Sequence, residues 1–342
     1  MRVGTIRVIE GGLLTTVQDL GRPGYQMLGV SPAGAADEYA FRLANWAVGN
    51  PPEAAGLEIT LVGPRLLFTS DTLVALTGAD LGPALDGEPL PMWEAVRVRG
   101  GSTLTFAGGT RGCRAYLAVA GGIDVPPVLG SRSTDLLGRF GGVDGRALRA
   151  GDELPLGQPP PGAQPRPIPP ELVPLYPEEV EARVVLGPQE DHFTSEGLRV
   201  FLGSPYLVTP QSDRIGLRLE GPAVRHRGRA DIISDGMPAG AVQVPQDGRP
   251  LVVLANRQTV GGYPKIATVI SADLWRLAQL RPGNRVFFRA VTPEEAHRLA
   301  IRHWQLWDED QLAARARQRT TRWQLTVAGF RYSLSLEESP EE

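Results

Sequence analysis

Two short apolar segments in the second half of the chain enclose a polar loop. Residues 251–255 and 266–270 are rich in Val, Ile and Leu, which is typical of buried strands. The intervening chain is broken by Gly261, Gly262 and Pro264, and glycines can take positive φ or admit a close neighbour. Six side chains there can form hydrogen bonds: Asn256, Arg257, Gln258, Thr259, Tyr263 and Lys265. We predict a rigid loop that faces a ligand. The alternative is an ordinary glycine-rich surface loop.

Helical and alternating patterns predict three further elements. Apolar residues recur at helical spacing in residues 34–48, and a second helix is predicted for residues 293–317. This second helix has Thr292 as its N-cap, followed by proline at the first helical position. Polar and apolar residues alternate over residues 323–337, which predicts a β-hairpin around Ala328-Gly329.

A proline-rich segment divides the chain near its middle. Residues 155–177 contain ten prolines, which disfavour helix and sheet and favour an extended connector. The whole chain has 41 glycines and 31 prolines, which favours many short strands joined by tight turns. We therefore predict one domain in residues 1–154, another in residues 178–292, and a C-terminal helix and hairpin in residues 293–342.

Short matches at offsets of about 132 to 135 residues suggest a duplicated domain. Five segments in the first half correspond in order to five in the second: 65–68 to 199–202, Asp80 to Asp213, 85–87 to 219–221, 115–120 to 250–255, and 148–152 to 280–284. We predict two similar, mainly β domains of barrel or sandwich form. Their strand orders should match, with Asp80 and Asp213 at equivalent positions.

Charge and missing motifs exclude several classes of protein. A net charge of −3 gives no basic surface for nucleic acid. The absence of an apolar leader or of 18 consecutive apolar residues predicts a cytoplasmic protein without a membrane span. There is no phosphate-binding loop, no Gly-x-Ser-x-Gly and no His-Glu-x-x-His, and the four histidines lack metal-ligand spacing. We expect no bound metal and no nucleotide site of the chain's own.

Two polar groups of residues remain as candidate sites. Gln18, Asp19 and Arg22 lie among turn residues, although Asp19 and Arg22 could simply pair with each other. In the second half, Asp213 and Arg214 could bind a ligand or form a structural ion pair. Arginine suits carboxylates and phosphates, and lysine can act as a point charge or as a base.

Five ordered motifs carry a family resemblance. They read TTVQDLGRPGYQ, GVSPAGAADEYAFRLAN, SDRIGLRLEGP, ISDGMPAGAVQVP and NRQTVGGYPKIATVI. Over about residues 3 to 290 the chain resembles the allophanate hydrolase subunit 2 family, also called the biotin-dependent carboxyltransferase family. The resemblance implies a mainly β fold of two cyclophilin-like β-barrel domains with a few short helices. It also implies action with a related B subunit and, in 5-oxoprolinase, with an A subunit as the third component.

The resemblance carries over a set of site residues. It implies catalytic roles for Lys265, Asp213 and Tyr263. The residues expected to bind the substrate are Gln18, Asp19, Arg22, Arg214, Gln243, Arg257, Gln258, Thr259, Gly261 and Gly262. One departure is that the family loop reads Asp-Arg-Gln-Thr, whereas Asn256 precedes Arg257 here. An amide at this position weakens the case for a general base but leaves recognition intact.

The single lysine bears on both biotin and catalysis. The biotin acceptor motif Ala/Val-Met-Lys-Met is absent, so we expect no biotin on this chain. Of 35 basic residues, 34 are arginine and only Lys265 is lysine, which suggests that ammonium chemistry is needed there. We predict that Lys265 lies in the main concave site, near Tyr263, Gln258 and at least one of Asp213 or Asp19.

Three functions are compatible with the resemblance. The first is that of the C subunit of an ATP-dependent 5-oxoprolinase, which opens a lactam to glutamate and is inactive without its partners. ATP would be used by the assembled complex and would not be bound by this chain alone. The second is carboxyl transfer from carboxybiotin to a urea-like amide. The third is a non-catalytic antagonist of a sensor-kinase inhibitor.

Overall fold

The computed structural model describes residues 4–109, 111–306 and 312, and the backbone alone of Thr320–Val327 and Phe330–Glu337. The helices with described bounds are α1 Glu38–Ala47, α2 Ser195–Gly203, α3 Leu274–Leu277 and α4 Pro293–Gln305. The strands are β1 Thr5–Glu10, β2 Leu14–Gln18, β3 Gly56–Thr60, β4 Arg65–Phe68, β5 Thr72–Gly78, β6 Pro83–Leu85, β7 Glu88–Pro89, β8 Glu94–Val98, β9 Thr103–Phe106, β10 Arg114–Val119, β11 Glu153–Pro155, β12 Glu179–Leu186, β13 Tyr206–Val208, β14 Gly216–Glu220, β15 Asp235–Gly236, β16 Ala241–Gln243, β17 Leu251–Val253, β18 Val260–Gly261, β19 Lys265–Val269, β20 Arg285–Ala290, β21 Thr320–Val327 and β22 Phe330–Glu337. Among the described residues, no helix is long and apolar enough to cross a membrane.

In the first half, strands β1 to β11 form two sheets around one hydrophobic core. The sheets are ordered β11-β1-β4-β9-β6-β7 and β2-β3-β10-β5-β8. Ile6 and Leu66 from the first sheet pack with Leu57 and Leu117 from the second. Strand β10 is buried at every position because helix α1 covers the side that faces away from this core. Burial on both sides explains the apolar run that follows Arg114, residues 115–119.

In the second half, seven strands close into a barrel. Their order is β12-β19-β16-β17-β14-β13-β20, and a parallel pairing of β12 with β20 completes the ring. Its core contains Val180, Val184, Tyr206 and Phe288. The mainly β prediction is confirmed, and so are the two apolar segments, which form β17 and β19. Lys265 is the first residue of β19, so it lies in the strand that follows the loop.

The two halves do not share a constant offset. Residues 65–68 form strand β4, whereas residues 199–202 lie in helix α2. Asp80 lies where the chain passes from one sheet to the other, but Asp213 joins the neighbouring barrel strands β13 and β14. The predicted matching strand order and the equivalence of Asp80 and Asp213 are therefore wrong. Four-residue apolar matches cannot distinguish a strand from a buried helix.

One predicted correspondence is confirmed at a turn. In residues 149–152 and 281–284, the last side chain accepts a hydrogen bond from the first backbone amide. The distances are 2.7 Å at Asp152 and 2.9 Å at Asn284. The glycine before each has φ of 90° and 93°, a conformation that favours glycine.

The helix starts follow their caps. Helix α1 begins at Glu38 because the Asp37 carboxylate accepts from the Ala40 amide at 2.9 Å, whereas Gly34 has φ of 89° and cannot be helical. Helix α4 begins as predicted, with the Thr292 hydroxyl accepting from the Glu295 amide. Its predicted extension over residues 307–311 and 313–317 lies outside the described residues. The predicted hairpin is confirmed by the pairing of β21 with β22, and Ala328-Gly329 lies outside the described residues.

The proline-rich connector is fixed to the first half. It is mostly irregular, with a short 3-10 helix at Pro170–Leu172. Ile168 and Leu172 are buried in a cluster with residues of α1, and the Tyr39 hydroxyl donates to the Leu172 carbonyl at 2.7 Å. The connector therefore packs as part of the structure and holds Tyr176 near the start of α1.

Candidate functional site

The ammonium group of Lys265 is buried beside a half-exposed carboxylate. Its Nζ lies 2.6 Å from Asp235 Oδ2 and 3.1 Å from the Gly236 carbonyl oxygen. The side chain of Lys265 is 3% exposed and that of Asp235 is 53% exposed. The hydrogen bond from Lys265 lowers the pKa of Asp235. A fixed cation therefore lies just below a carboxylate that reaches the surface.

Asp213 and Asp19 form hydrogen bonds within their own halves and none with Lys265. The Asp213 carboxylate accepts from the backbone amides of Ile215 and Gly216. Asp19 accepts from four groups within the first half: the Gly21 amide at 2.7 Å, the Ser131 hydroxyl at 2.6 Å, the Ser133 hydroxyl at 2.5 Å and the Arg132 amide at 2.5 Å. Neither predicted carboxylate neighbour forms a hydrogen bond or ion pair with Lys265, whose carboxylate partner is Asp235.

Gln189 completes the surroundings of Lys265, and sequence reasoning missed it. Its Oε1 accepts from the Lys265 backbone amide at 3.1 Å, and its Nε2 donates to Asp235 Oδ2 at 3.1 Å. Gln189 follows strand β12, which is the antiparallel neighbour of β19. It lies outside the quoted motifs, so only the pairing of these strands could have revealed it.

Gln243, Gln258 and Tyr263 meet at the middle of the polar loop. Gln243 is 1% exposed, and its Nε2 donates to the Tyr263 carbonyl at 3.3 Å. The exposed Gln258 donates to Gln243 Oε1 at 3.5 Å. The Tyr263 side chain is partly exposed. The structure therefore gathers these three predicted residues at the loop that ends in Lys265.

The two loop glycines differ in their surroundings. Neither has positive φ, and only Gly261 has a closely packed neighbour. A Cβ added to Gly261 would lie 2.5 Å from Gln243 Nε2 and 2.4 Å from Met237 Cε, whereas one at Gly262 would have its nearest neighbour at 3.7 Å. A methyl group at position 261 would therefore require the Met237 and Gln243 side chains to shift, whereas one at position 262 would not.

Arg257 and Thr259 tie the loop to the chain next to β15. Arg257 Nε donates to the Met237 carbonyl at 3.0 Å, and the Met237 amide donates to the Thr259 carbonyl at 2.9 Å. Burial lowers the pKa of Arg257. Its Nη2 has no hydrogen-bond partner among the described residues, so one edge of the guanidinium remains available.

The loop begins at a buried junction between the halves. Arg214 Nε donates to Asn256 Oδ1 at 3.0 Å, Nη2 donates to the Gly34 carbonyl at 2.6 Å, and Nη1 pairs with Glu58 of strand β3. Burial lowers the pKa of Arg214 to about 9, so the guanidinium is charged at neutral pH. The predicted alternative of an Asp213–Arg214 ion pair is wrong, because the partner of Arg214 is Glu58.

Asn256 bridges the halves by a second contact. Its Nδ2 donates to Asp135 Oδ1 in the first half at 3.3 Å, while its Oδ1 accepts from Arg214. A single amide both accepts and donates here, which an ionised carboxylate cannot do. Asn256 therefore links the halves, and the departure from Asp-Arg-Gln-Thr has a structural reason.

Gln18, Asp19 and Arg22 support the segment 131–134 of the first half. Gln18 Nε2 donates to the Thr134 carbonyl at 3.2 Å, and Arg22 Nη2 donates to the Ser133 carbonyl. All three side chains are buried, and Asp19 and Arg22 form no salt bridge with each other. None of them forms a hydrogen bond to the polar loop, so their predicted role in binding the substrate remains a prediction.

A cleft of 820 Å³ lies elsewhere, between the first half and the connector. Asp80, Trp93, Arg111 and Tyr176 are among its lining residues, and Lys265 is not. The prediction that Lys265 lies in the main concave site is therefore not tested by this cleft and stays a prediction. Among the residues with described side chains, no three His, Cys, Asp or Glu residues form a group that could hold a metal ion.

Comparisons with known proteins give a consistent relationship. The family described as carboxyltransferase domain, subdomain A and B, matches residues 28–290. The C subunit of the 5-oxoprolinase of Escherichia coli K12 is 40% identical over 291 residues, which cover 85% of this chain and 93% of that protein. Urea amidolyase of Saccharomyces cerevisiae is 37% identical over 313 residues, covering 86% of this chain but only 17% of that protein.

A solved structure agrees with these matches. The urea carboxylase of Kluyveromyces lactis superposes with a TM-score of 0.86 at 34% identity, over 92% of this chain and 30% of that one. The family match covers both halves and the motifs that form the polar loop and the junction. The chain therefore belongs to the carboxyltransferase domain family with subdomains A and B.

Proposed function

We propose that this chain is the C subunit of an ATP-dependent 5-oxoprolinase. With its partner subunits it contributes to the hydrolytic opening of 5-oxoproline to glutamate. The observation that carries the proposal is the match to 93% of the length of the Escherichia coli C subunit at 40% identity. Urea amidolyase, by contrast, corresponds to this chain over only 17% of its length.

The polar loop offers groups that suit a small lactam acid. The available edge of the Arg257 guanidinium can receive the substrate carboxylate. Lys265 has three N–H donors and uses two of them, on Asp235 and Gly236. We propose that the third stabilises negative charge on the lactam oxygen. Asp213 has no part in this proposal because its carboxylate serves its own turn.

We propose that the partners supply the ATP site and complete the catalytic set. No phosphate-binding loop is present in the sequence. The 5-oxoprolinase relatives are named as one subunit of that enzyme, which supports the need for other chains. The A and B subunits of the same enzyme are the proposed partners, and the isolated chain is expected to be inactive.

Reconstitution tests the proposed function. The chain is combined with candidate A and B subunits, and 5-oxoproline-dependent ATP hydrolysis and glutamate release are measured. Turnover is expected only in the complete mixture. Turnover by the chain alone would contradict the partner requirement, and no turnover in the complete mixture would contradict the substrate.

A second candidate function is carboxyl transfer from carboxybiotin to a urea-like amide. The superposition on the Kluyveromyces lactis urea carboxylase favours it. Since Lys265 is the only lysine and lies in no acceptor motif, the biotin would be supplied on another chain. Urea-dependent loss of the carboxyl group from a carboxylated biotin carrier, with no response to 5-oxoproline, would support this function over the first.

A further inference from the structure

The polar loop is anchored at its first residue to both halves of the molecule. Asn256 is 1% exposed and lies between Arg214 and Asp135, which are 2% exposed each. Its amide oxygen accepts from Arg214 and its amide nitrogen donates to Asp135. Its backbone amide also donates to the Arg214 carbonyl at 3.0 Å. The amide oxygen and the amide nitrogen of Asn256 therefore each have a buried hydrogen-bond partner.

We propose that Asn256 is a positioning residue that holds the polar loop, and with it Lys265, against the first half. The segment 257–264 runs from this anchor to the strand that carries Lys265. The hydrogen bonds that residues 257–264 form with described residues, to Met237, Gln243, Ile232, Val244, Leu254 and strand β15, stay within the second half. Asn256 is thus the side chain of the loop that reaches the first half, next to the Ala255 carbonyl, which accepts from the Ser31 hydroxyl. The importance of this link for turnover rests on the proposed function, but the link itself does not.

The charges at this position explain why an amide is required. A carboxylate at position 256 would still accept from Arg214, but it would lie against the carboxylate of Asp135. The wider surroundings are balanced, because Glu58 pairs with Arg214 and the charge of Arg22 acts on Asp135. Protonation of the introduced carboxyl would restore a donor toward Asp135, so the defect should depend on pH.

Because Lys265 is the only lysine, its reactivity with an amine-directed reagent reports whether the loop stays packed over it. Lys265 is 2% exposed, and no other lysine can react with an amine-directed ester. The extent of Lys265 labelling is measured by peptide mass mapping. It is expressed, at each pH, as the labelling of the variant divided by that of the wild type. This ratio cancels the effect of pH on the chemistry of the reagent. It also requires neither partner subunits nor substrate.

The experiment compares Asn256→Asp with Asn284→Asp. At about pH 8, Asn256→Asp is expected to raise Lys265 labelling about tenfold, because a buried pair of carboxylates opposes closure of the loop. The ratio is expected to fall toward one at about pH 5, where one carboxyl of the pair is protonated. Asn284→Asp is the matched control, since Asp152 makes the same turn contact in the first half, and its ratio should stay near one.

A second variant guards against simple misfolding. Asn256→Ala removes both side-chain contacts without adding charge, so it should raise labelling at every pH by a similar factor. The proposal is overturned if both variants at position 256 leave Lys265 as protected as in the wild type. It is also overturned if the Asn256→Asp ratio does not depend on pH. In the assembled complex, absent wild-type turnover would contradict the proposed function, while the labelling ratios would still decide the role of Asn256.

Discussion

At the scale of single residues, sequence motifs identify which residues matter but not which residues they contact. The sequence identifies Lys265 as the only lysine, and Asp235 lies in another recognised motif 30 residues earlier. Their pairing could not be predicted, because it depends on the antiparallel contact of β15 with β18. Asp213 is predicted to be one of the carboxylates near Lys265. Its side chain instead completes a local turn, a common use of aspartate outside regular structure.

Lys265→Met tests the ammonium group while keeping an apolar side chain in a buried position. If Lys265 contributes one charge-assisted hydrogen bond to substrate, turnover of the assembled complex should fall roughly 10- to 150-fold. A loss above about a thousandfold with folding intact would indicate a role in the transition state. Arg285→Met is the control, because it removes a more exposed ion pair with Glu179 from the same barrel. Unchanged turnover in Lys265→Met would remove Lys265 from the site.

At the scale of elements, strands and caps are predictable where local signals agree. The apolar segments form β17 and β19, and Thr292 starts α4 as its cap. The prediction for residues 199–202 is wrong because a short apolar run fits either a strand or a helix. Here Thr194 caps the segment, accepting from the Gly197 amide, and α2 forms. Capping decides the element where apolar content cannot.

The two glycines of the polar loop are expected to respond differently to substitution by alanine. Gly261→Ala places a methyl group against the buried Gln243 amide and Met237, and overpacking of this kind typically costs about 1–3 kcal/mol. Gly262→Ala meets open space and has no positive φ, so it should be nearly neutral. Urea unfolding of the two variants gives the comparison. Equal stabilities would show that Gln243 and Met237 do not constrain position 261.

At the scale of the whole molecule, the halves are joined by contacts between residues far apart in sequence. Arg214 and Glu58 are separated by 156 positions, and Gln279 and Asp37 by 242. No local pattern predicts such pairs, because they exist only once the halves have packed. Both polar atoms of the Gln279 amide form hydrogen bonds. Its Oε1 accepts from the backbone amides of Cys113 and Arg114, and its Nε2 donates to Asp37.

Asp37 is where three parts of the chain meet. Its Oδ1 caps α1, and its Oδ2 accepts from Gln279 Nε2 at 2.7 Å and from the Tyr176 hydroxyl at 3.0 Å. The first half, the connector and the second half therefore share one buried carboxyl. Burial raises the pKa of Asp37 to about 6, although these hydrogen bonds act to lower it.

This raised pKa makes stability depend on pH in a definite direction. The unfolded chain releases the Asp37 proton at about pH 3.9, whereas the folded protein retains it until about pH 6. The contribution of Asp37 is therefore fully present below about pH 4 and is lost as pH rises through 6, by roughly 2–3 kcal/mol. Asp37→Ala should thus destabilise the protein more at pH 4.5 than at pH 7, as measured by urea unfolding. Asp86→Ala is the control: the backbone hydrogen bond from Thr103 lowers the pKa of Asp86, so its contribution is lost only below about pH 4 and should be nearly equal at pH 4.5 and pH 7. A difference between wild type and Asp37→Ala that stays constant or grows with pH would show that this buried carboxyl does not retain its proton.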